Sequence, residues 1–470
     1  MPKTFYDREA ELADLIHREG SLKSGEFVVL YGRRRVGKTE LAKKFLETIT
    51  TRKLYFYVDL MEKKDLLKSL ESEIQKQLGI VIRFSAWNDF FEFLGRQSAS
   101  EKFVLLIDEF QRFLEISPEF ITTFQRHWDE KLSGNKLLVI AVGSSIGMMH
   151  KITQSPAAPL YGRVSTRMKL CPFRYVDFRK MFPSLNEEDK IIHYAVFGGT
   201  PQYLTRVRDT PGTIHERISS LILKKGGALA EEPSTLMATE NIRTHARYNS
   251  ILQSIAMGKE TTKEMQDYTH IPVTTLPAYL KRLDTLLDVV SKKEPVLGKE
   301  RHGRYRLSDN FFNFWYKFIF PNQSALNLGN TALVEAHIKE NLTAYVGRAF
   351  ESVVHELLTL YLNKEIQGVK MDFEGLGSWW DRKANEIDIV AYNRKQSHLL
   401  AGEVKWTSEK AGVRLLDNLI EKSRLLPFTG TSTFMLVSKS GFTGECLKKM
   451  EKLRCIHLDL HGIRQLFDQA

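Results

Sequence analysis

Three short runs carry apolar residues without interruption: 27–31, directly after Glu26, 103–107 and 137–142. Unbroken apolar runs of this length suit strands covered on both faces, as in a buried parallel sheet. The first passes through Gly32 into a helical spacing, Leu41, Ala42, Phe45, Leu46. From about 173 to 235 the pattern is mostly helical, punctuated by Pro183, Pro211 and Gly226-Gly227. A new unit begins near 241, with helical spacing over 248–256, a second helix starting at Thr262, a third over 274–283, and strand-like pieces at 287–291 and 304–307. Further on, Tyr345 to Leu362 reads as an amphipathic helix. The segments 386–392 and 399–406 flank a polar turn, 393–398, and predict a hairpin; 433–438 and 456–459 predict further strands with helices between them. The order is that of an α/β chain with three domains, 1–240 (its helical lid at about 173–235), 241–320 and 321–470.

Length agrees, since 470 residues at roughly 150 per domain make about three. With 43% hydrophobic and 27% charged residues and only 14 Pro, the composition is that of a folded chain rather than a disordered one. Cys171, Cys446 and Cys455 stand far apart, which argues against a disulfide framework or structural zinc and fits a reducing compartment. The start MPKTFYDREAEL has acids where a secretory signal needs an apolar stretch, and no run is long enough to cross a bilayer, so a cytoplasmic protein is expected. The balance of 68 Lys and Arg against 57 Asp and Glu leaves a charge of +11, which suits a polyanion partner such as DNA and equally a basic, solubilising surface.

Gly32 to Thr39 spell G-x-x-x-x-G-K-T between a strand and a helix. Glycines there let backbone N–H groups wrap a phosphate at the helix N-terminus, Lys38 reaches the outer phosphates, and the Thr39 hydroxyl can ligate Mg²⁺. ATP and Mg²⁺ are therefore the expected cofactors, held by Gly32, Gly37, Lys38 and Thr39. A nucleotide hydrolase also needs a carboxylate at the end of a neighbouring strand, and the run 103–107 is followed by Asp108-Glu109. Asp108 is expected to hold the Mg²⁺ shell and Glu109 to orient the attacking water; alternatively the two acids cap the next helix. The third strand ends in Gly143-Ser144-Ser145, which places the Ser144 hydroxyl where a γ-phosphate sensor sits.

These residues resemble the archaeal-type ATPases of the STAND and AAA+ kind. The resemblance extends to Phe5, Arg8, Glu9 and Leu12, a segment implied to lie against the adenine. It includes Pro159 to Arg163, where Arg163 is implied to be a phosphate-sensing or finger arginine, acting within its chain or on a neighbouring subunit of a homo-oligomer. It also includes Gly198-Gly199-Thr200-Pro201, similar to a lid motif whose proline, here Pro201, approaches the base; a plain helix stop and turn is the other reading. The arginines Arg33, Arg34 and Arg35 inside the loop are given no role.

In the middle third, three helices followed by two strands suggest a winged helix. Residues 241–320 hold 13 Lys and Arg against 8 Asp and Glu, a surplus suited to DNA phosphates, with Lys281, Arg282, Lys292, Lys293, Arg301 and Arg304 as candidates. Winged helices also dock proteins, and a charge run is often only a solvated face. The aromatic cluster 311–316 reads as packing rather than base stacking.

In the predicted hairpin, a turn symmetric about 395 and 396 pairs residues whose numbers sum to 791. Asp388 then lies opposite Glu403 and Glu386 opposite Lys405, all on one face because side chains alternate. Facing carboxylates repel, so a compensating cation is expected. Asp388 and Glu403 suit Mg²⁺ or Mn²⁺, Lys405 suits alignment of a water against a phosphodiester, and Glu351 on the amphipathic helix can complete the site. The bland reading is an exposed Glu386–Lys405 pair with Glu403 facing water. Glu351, Asp388 and Glu403-Val-Lys405 also resemble the PD-(D/E)XK nuclease-like, or restriction-endonuclease-like, domain that accompanies archaeal-type ATPases. This chain has Ile-Asp-Ile where that signature has Pro-Asp, which leaves cleavage open. The whole reads as an ATP-hydrolysing switch acting on DNA with a Mg²⁺-dependent nuclease domain. Its rivals are a nucleotide-gated regulator with an inactive nuclease-like domain and an ATPase that remodels a protein partner.

Overall fold

The computed structural model describes residues 6–239, 245–298 and 303–470. The chain forms two compact units, one of residues 1–172 with 285–288, the other of 173–284 with 289–470. No helix among the described residues is long and apolar enough to cross a membrane.

The first unit is built on five parallel strands: β1 (Glu26–Tyr31), β2 (Arg52–Tyr57), β3 (Phe103–Asp108), β4 (Leu137–Gly143) and β5 (Thr166–Lys169), in the order β2-β3-β4-β1-β5. The unbroken apolar runs have the predicted cause. Along β1, Phe27 and Val29 enter an aromatic-rich core on one face while Val28 and Leu30 enter a mainly aliphatic core on the other; β3 and β4 alternate the same way. On the aromatic face Phe113 and Phe120 stack at 3.6 Å, and Trp87 crosses Phe120 edge-on at 4.9 Å, its indole N–H donating to Ser117. The strands the apolar runs did not announce, β2 and β5, are the two edges, where only part of each strand is covered. The topology also changes one expectation: β4 separates β3 from β1, so the strand bearing Asp108 is one removed from the phosphate loop rather than adjacent.

The second unit opens with helices Tyr175–Met181, Glu187–Phe197 and Pro201–Asp209. Between the last two, Gly199 packs so close to residue 173 that a Cβ would lie 1.9 Å from the Phe173 carbonyl oxygen, and Gly198 has φ +65°. Helices His245–Ala256, Thr262–Thr269 and Leu276–Thr285 precede an antiparallel pair, β6 (Val290–Lys293) and β7 (Arg304–Leu307). The first of these strands starts three residues later than predicted. The aromatic cluster is buried, with Trp315 donating to the Ala230 carbonyl at 2.8 Å and Tyr316 to Asn249 at 2.8 Å.

A 30-residue helix, Thr331–Leu360, then leads through a two-residue ribbon, β8 (Glu365–Ile366) and β9 (Val369–Lys370), into a mixed sheet. Its strands β10 (Gly375–Trp380), β11 (Glu386–Asn393), β12 (His398–Lys405), β13 (Thr431–Ser438) and β14 (Ile456–Leu458) lie in chain order. The first three are antiparallel, and β12, β13 and β14 are parallel, joined through helices Val413–Ser423 and Gly444–Lys452. The segment after β6 is seated on the sheet edge: Val296 N–H donates to the Ser378 carbonyl at 2.9 Å, and the Val296 side chain fills the space above Gly377.

Candidate functional site

The phosphate loop takes its shape from three positive φ angles, at Gly32 (+154°), Arg35 (+71°) and Gly37 (+95°). At Gly32 a side chain is excluded as well, because a Cβ would lie 2.3 Å from the Leu170 carbonyl oxygen. Gly37 caps the helix Lys38–Thr48 and offers no side-chain acceptor to its first amides, so this N-terminus keeps the donors and dipole that attract an anion. Lys38 is buried, with its ammonium donating to the Gly32 and Arg33 carbonyls at 2.9 and 2.7 Å. Of the three loop arginines, Arg33 is buried and Arg34 exposed.

Asp108, at the end of β3, is 1% exposed and accepts from Thr39 at 2.9 Å, from Tyr55 at 3.1 Å and from the Glu109 amide at 2.9 Å. Burial, reinforced by Glu109, holds its pKa above the ordinary aspartate value although the Thr39 and Tyr55 bonds pull the other way. Glu109 stands in the left-handed region at φ +58°, a strained place for a glutamate. Its carboxylate accepts from Ser144 Oγ at 2.9 Å, and Gln111 donates to both Glu109 and Ser144. The acids therefore do not cap the next helix by side chain. Gln111 and Tyr55 are members of this cluster that the motif reading missed. Gln111 was legible as the polar residue two places after Glu109; Tyr55 was not, because its strand was not foreseen.

The remaining predicted residues divide. Arg8 is buried at φ +80° and donates to the Cys171 and Val36 carbonyls, so it braces the loop backbone from behind. Arg163 is engaged with Asp129, its Nε donating at 2.7 Å, and forms no bond to Glu109 or Ser144. Pro201 is the first residue of the helix Pro201–Asp209, in the second unit. Phe5 lies outside the described residues.

The second cluster lies in the C-terminal sheet. The β11–β12 ladder runs from Asn393↔His398 to Ile389↔Gly402, every pair in the predicted register. Beyond that rung the pattern changes. Asp388 Oδ2 accepts the Val404 amide at 2.8 Å, so a side chain replaces a backbone partner. The predicted Glu386–Lys405 opposition is corrected: the β11–β12 ladder ends before that rung, and the Glu386 carboxylate takes Arg304 at 3.0 Å and Arg306 at 3.5 Å. Lys405 turns inward to Glu403 at 2.8 Å and Asp388 at 3.6 Å, and Lys422 reaches the other Glu403 oxygen at 2.8 Å. Glu403 is 2% exposed rather than facing water.

Electrostatics separate the acids. Burial and then Glu403 push Asp388 up to about 6. Burial also raises Glu403, but Lys405 and Lys422 outweigh it and the net shift is downward. Among the described residues Glu351 has no hydrogen-bond or ion-pair partner; burial, then Asp388, push it up to about 8. His355, one turn further along the same helix, approaches the Asp388 carbonyl at 2.8 Å. Among the described residues no three His, Cys, Asp or Glu side chains converge as a metal-holding group. Glu351 thus stays beside the pair rather than completing it, and a cation here would have two protein carboxylates, a set that suits Mg²⁺ with its retained waters.

Glu351 makes a pH prediction. Its folded pKa lies above the usual glutamate value, so its contribution to stability is whole below about pH 4.5 and is lost as pH rises toward 8. In EDTA, Glu351→Gln is expected to melt with wild type near pH 4.5 and a few degrees above it at pH 8 to 9. A variant whose Tm falls with pH as steeply as wild type contradicts this placement.

Of the candidate DNA contacts, Arg304 lies 4.7 Å above the Trp380 ring besides pairing with Glu386, Lys292 pairs with Glu294 at 2.7 Å, and Arg282 points to Tyr248. Lys281 lies on the third helix, Lys293 ends β6, and Arg301 is outside the described residues.

A five-stranded parallel sheet with a phosphate loop after β1 and a buried aspartate bonded to the loop threonine defines a P-loop ATPase. The chain belongs to the archaeal ATPase family: residues 5–207 match the family described as an ATPase domain predominantly from Archaea, and residues 315–415 match one described as archaeal and bacterial proteins of unknown function. It is 31% identical over 461 residues to "Uncharacterized protein MJECL04" of Methanocaldococcus jannaschii, covering 97% of this chain and 99% of that protein. Among solved structures it is similar to the Walker-type ATPase PABY2304 of Pyrococcus abyssi, with TM-score 0.48 and 21% identity over 67% of this chain and 97% of that one. It is also similar to Cdc6p of Pyrobaculum aerophilum, with TM-score 0.34 and 14% identity over 73% of this chain and 96% of that one.

Proposed function

We propose that the protein is an ATP-hydrolysing switch acting on DNA, with a C-terminal domain that cleaves phosphodiesters in a Mg²⁺-dependent way. The observation that carries the first part is the linked set Thr39–Asp108 and Glu109–Ser144–Gln111, which joins the loop helix to β3 and β3 to β4. In this reading Lys38 brings positive charge to the outer phosphates, and Thr39 and Asp108 are the oxygen ligands for Mg²⁺. Glu109 orients water for attack on the terminal phosphorus while Ser144 and Gln111 hold its carboxylate and sense that phosphate. Bound Mg²⁺ supplies neutralisation of the charge that builds on the phosphate oxygens. Arg8 supports the loop; Phe5, Pro201 and Arg163 keep their implied nucleotide roles as part of the proposal, Arg163 after leaving Asp129. Lys38→Ala is expected to weaken ATP binding by roughly 100-fold in calorimetry, about 3 kcal/mol for a charge-assisted phosphate contact in a buried site. Unchanged affinity defeats the nucleotide assignment.

The helices of 245–285 with the β6–β7 pair have the element order of a winged helix, and Lys281, Arg282, Lys292 and Lys293 are proposed to meet DNA phosphates. In the C-terminal sheet Asp388 and Glu403 would hold the divalent ion, Lys405 would align water and stabilise phosphate charge, and Glu351 would stand beside them as an acid. One observation favours the regulator reading instead: both oxygens of Glu403 already carry lysines. Incubating plasmid, linear and single-stranded DNA with protein, varying ATP and Mg²⁺ or Mn²⁺ independently, separates the two, since binding without product supports the regulator.

A further inference from the structure

We propose that Lys422 is a positioning residue of the carboxylate cluster, an internal counter-ion that holds Glu403 in the metal-free chain and gives way when a divalent cation binds. This rests on the metal-dependent reading of that cluster. Lys422 sits in the last turn of the helix Val413–Ser423, 19 residues from Glu403, and no motif in the sequence marks it. Its ammonium donates to Glu403 Oε1 at 2.8 Å and to the Glu386 carbonyl at 3.0 Å. One cation therefore ties β11 to β12 just past Ile389↔Gly402, where their own ladder ends.

The charges explain why it is needed. Asp388 and Glu403 are both buried, and Lys405 is shared between them at 3.6 and 2.8 Å. One ammonium leaves such a pair with a net buried negative charge, a costly state. Lys422 brings the balance to two acids and two lysines without any metal. A divalent ion supplies the same two positive charges, and it is drawn to the Glu403 carboxylate whose charge Lys422 now neutralises. Each carboxylate oxygen keeps a second lone pair, but two cations crowded onto one oxygen repel each other, so the resting pair sets a threshold for metal entry.

The test is Mn²⁺ titration into the full-length chain by calorimetry, with melting followed in EDTA. Lys422→Met removes the charge, and Lys422→Gln removes it while keeping a donor for the Glu386 carbonyl. Each is expected to bind Mn²⁺ about tenfold more tightly than wild type, and to melt a few degrees lower in EDTA with the loss recovered on adding Mn²⁺. A merely structural lysine would lower melting without raising metal affinity. Folded Lys422→Gln with affinity equal to or weaker than wild type overturns the proposal while leaving the metal reading intact. Absence of Mn²⁺ binding in wild type and both variants at millimolar concentration overturns the metal reading itself, and the counter-ion role with it.

Discussion

Glu109→Gln is expected to bind ATP as wild type does and to hydrolyse it roughly 10²- to 10⁴-fold more slowly, the usual loss when a positioned acid–base group is removed. The reasoning is geometric. The glutamate stands on a strained residue at φ +58° directly after β3, and Ser144 at the end of β4 donates to its carboxylate at 2.9 Å. An amide of the same size keeps the rotamer and most of the packing but lacks the negative charge that draws a proton from water. Binding survives because the loop, Lys38, Thr39 and Asp108 are untouched. Ser144→Ala and Gln111→Ala should reproduce part of the defect by freeing the carboxylate. Phosphate release from ATP under single-turnover conditions, alongside calorimetry, checks both halves. A Glu109→Gln enzyme with wild-type turnover would move the water-orienting role elsewhere.

Asp388→Ala and Lys405→Ala are each expected to remove plasmid nicking by at least ~100-fold, since several kcal/mol of charge stabilisation are lost with either and each ~1.4 kcal/mol is tenfold. Their effects on the fold should differ. Asp388 accepts the Val404 amide where the ladder stops, so Ala leaves a buried N–H unsatisfied. Lys405→Ala leaves Glu403 with Lys422 alone and Asp388 without its cation. Melting curves must accompany the nicking assay, and Asp388→Asn, which keeps an acceptor for Val404, isolates the chemistry from the packing. Equal cutting by wild type and all variants would mean that the nicking is not made at this cluster.

Much of the nucleotide site was legible from one dimension because its parts are local. Gly32, Gly37, Lys38 and Thr39 sit within one turn of chain, and Asp108 and Glu109 end an apolar run whose burial on both faces is written in its composition. The hairpin register was legible for the same reason: a short turn between two strands leaves one pairing that keeps the apolar residues inward. Tyr55 was hidden on an edge strand with a broken apolar pattern, and it reaches Asp108 only because β2 pairs with β3. Arg163 was read from its resemblance, yet its guanidinium is spent on Asp129, 34 residues away.

What the amino-acid order alone determined is therefore the set of short-range devices: a phosphate loop between strand and helix, acids at strand ends, and a hairpin register that brings two carboxylates to one lysine. Which cation answers each acid was decided only in three dimensions. Glu386 went to Arg304 and Arg306 instead of Lys405, and Glu403 gained Lys422, because ion pairs form between whichever charges the packed elements bring within about 4 Å. Sequence distance carries no information about that proximity once the partners lie on different elements.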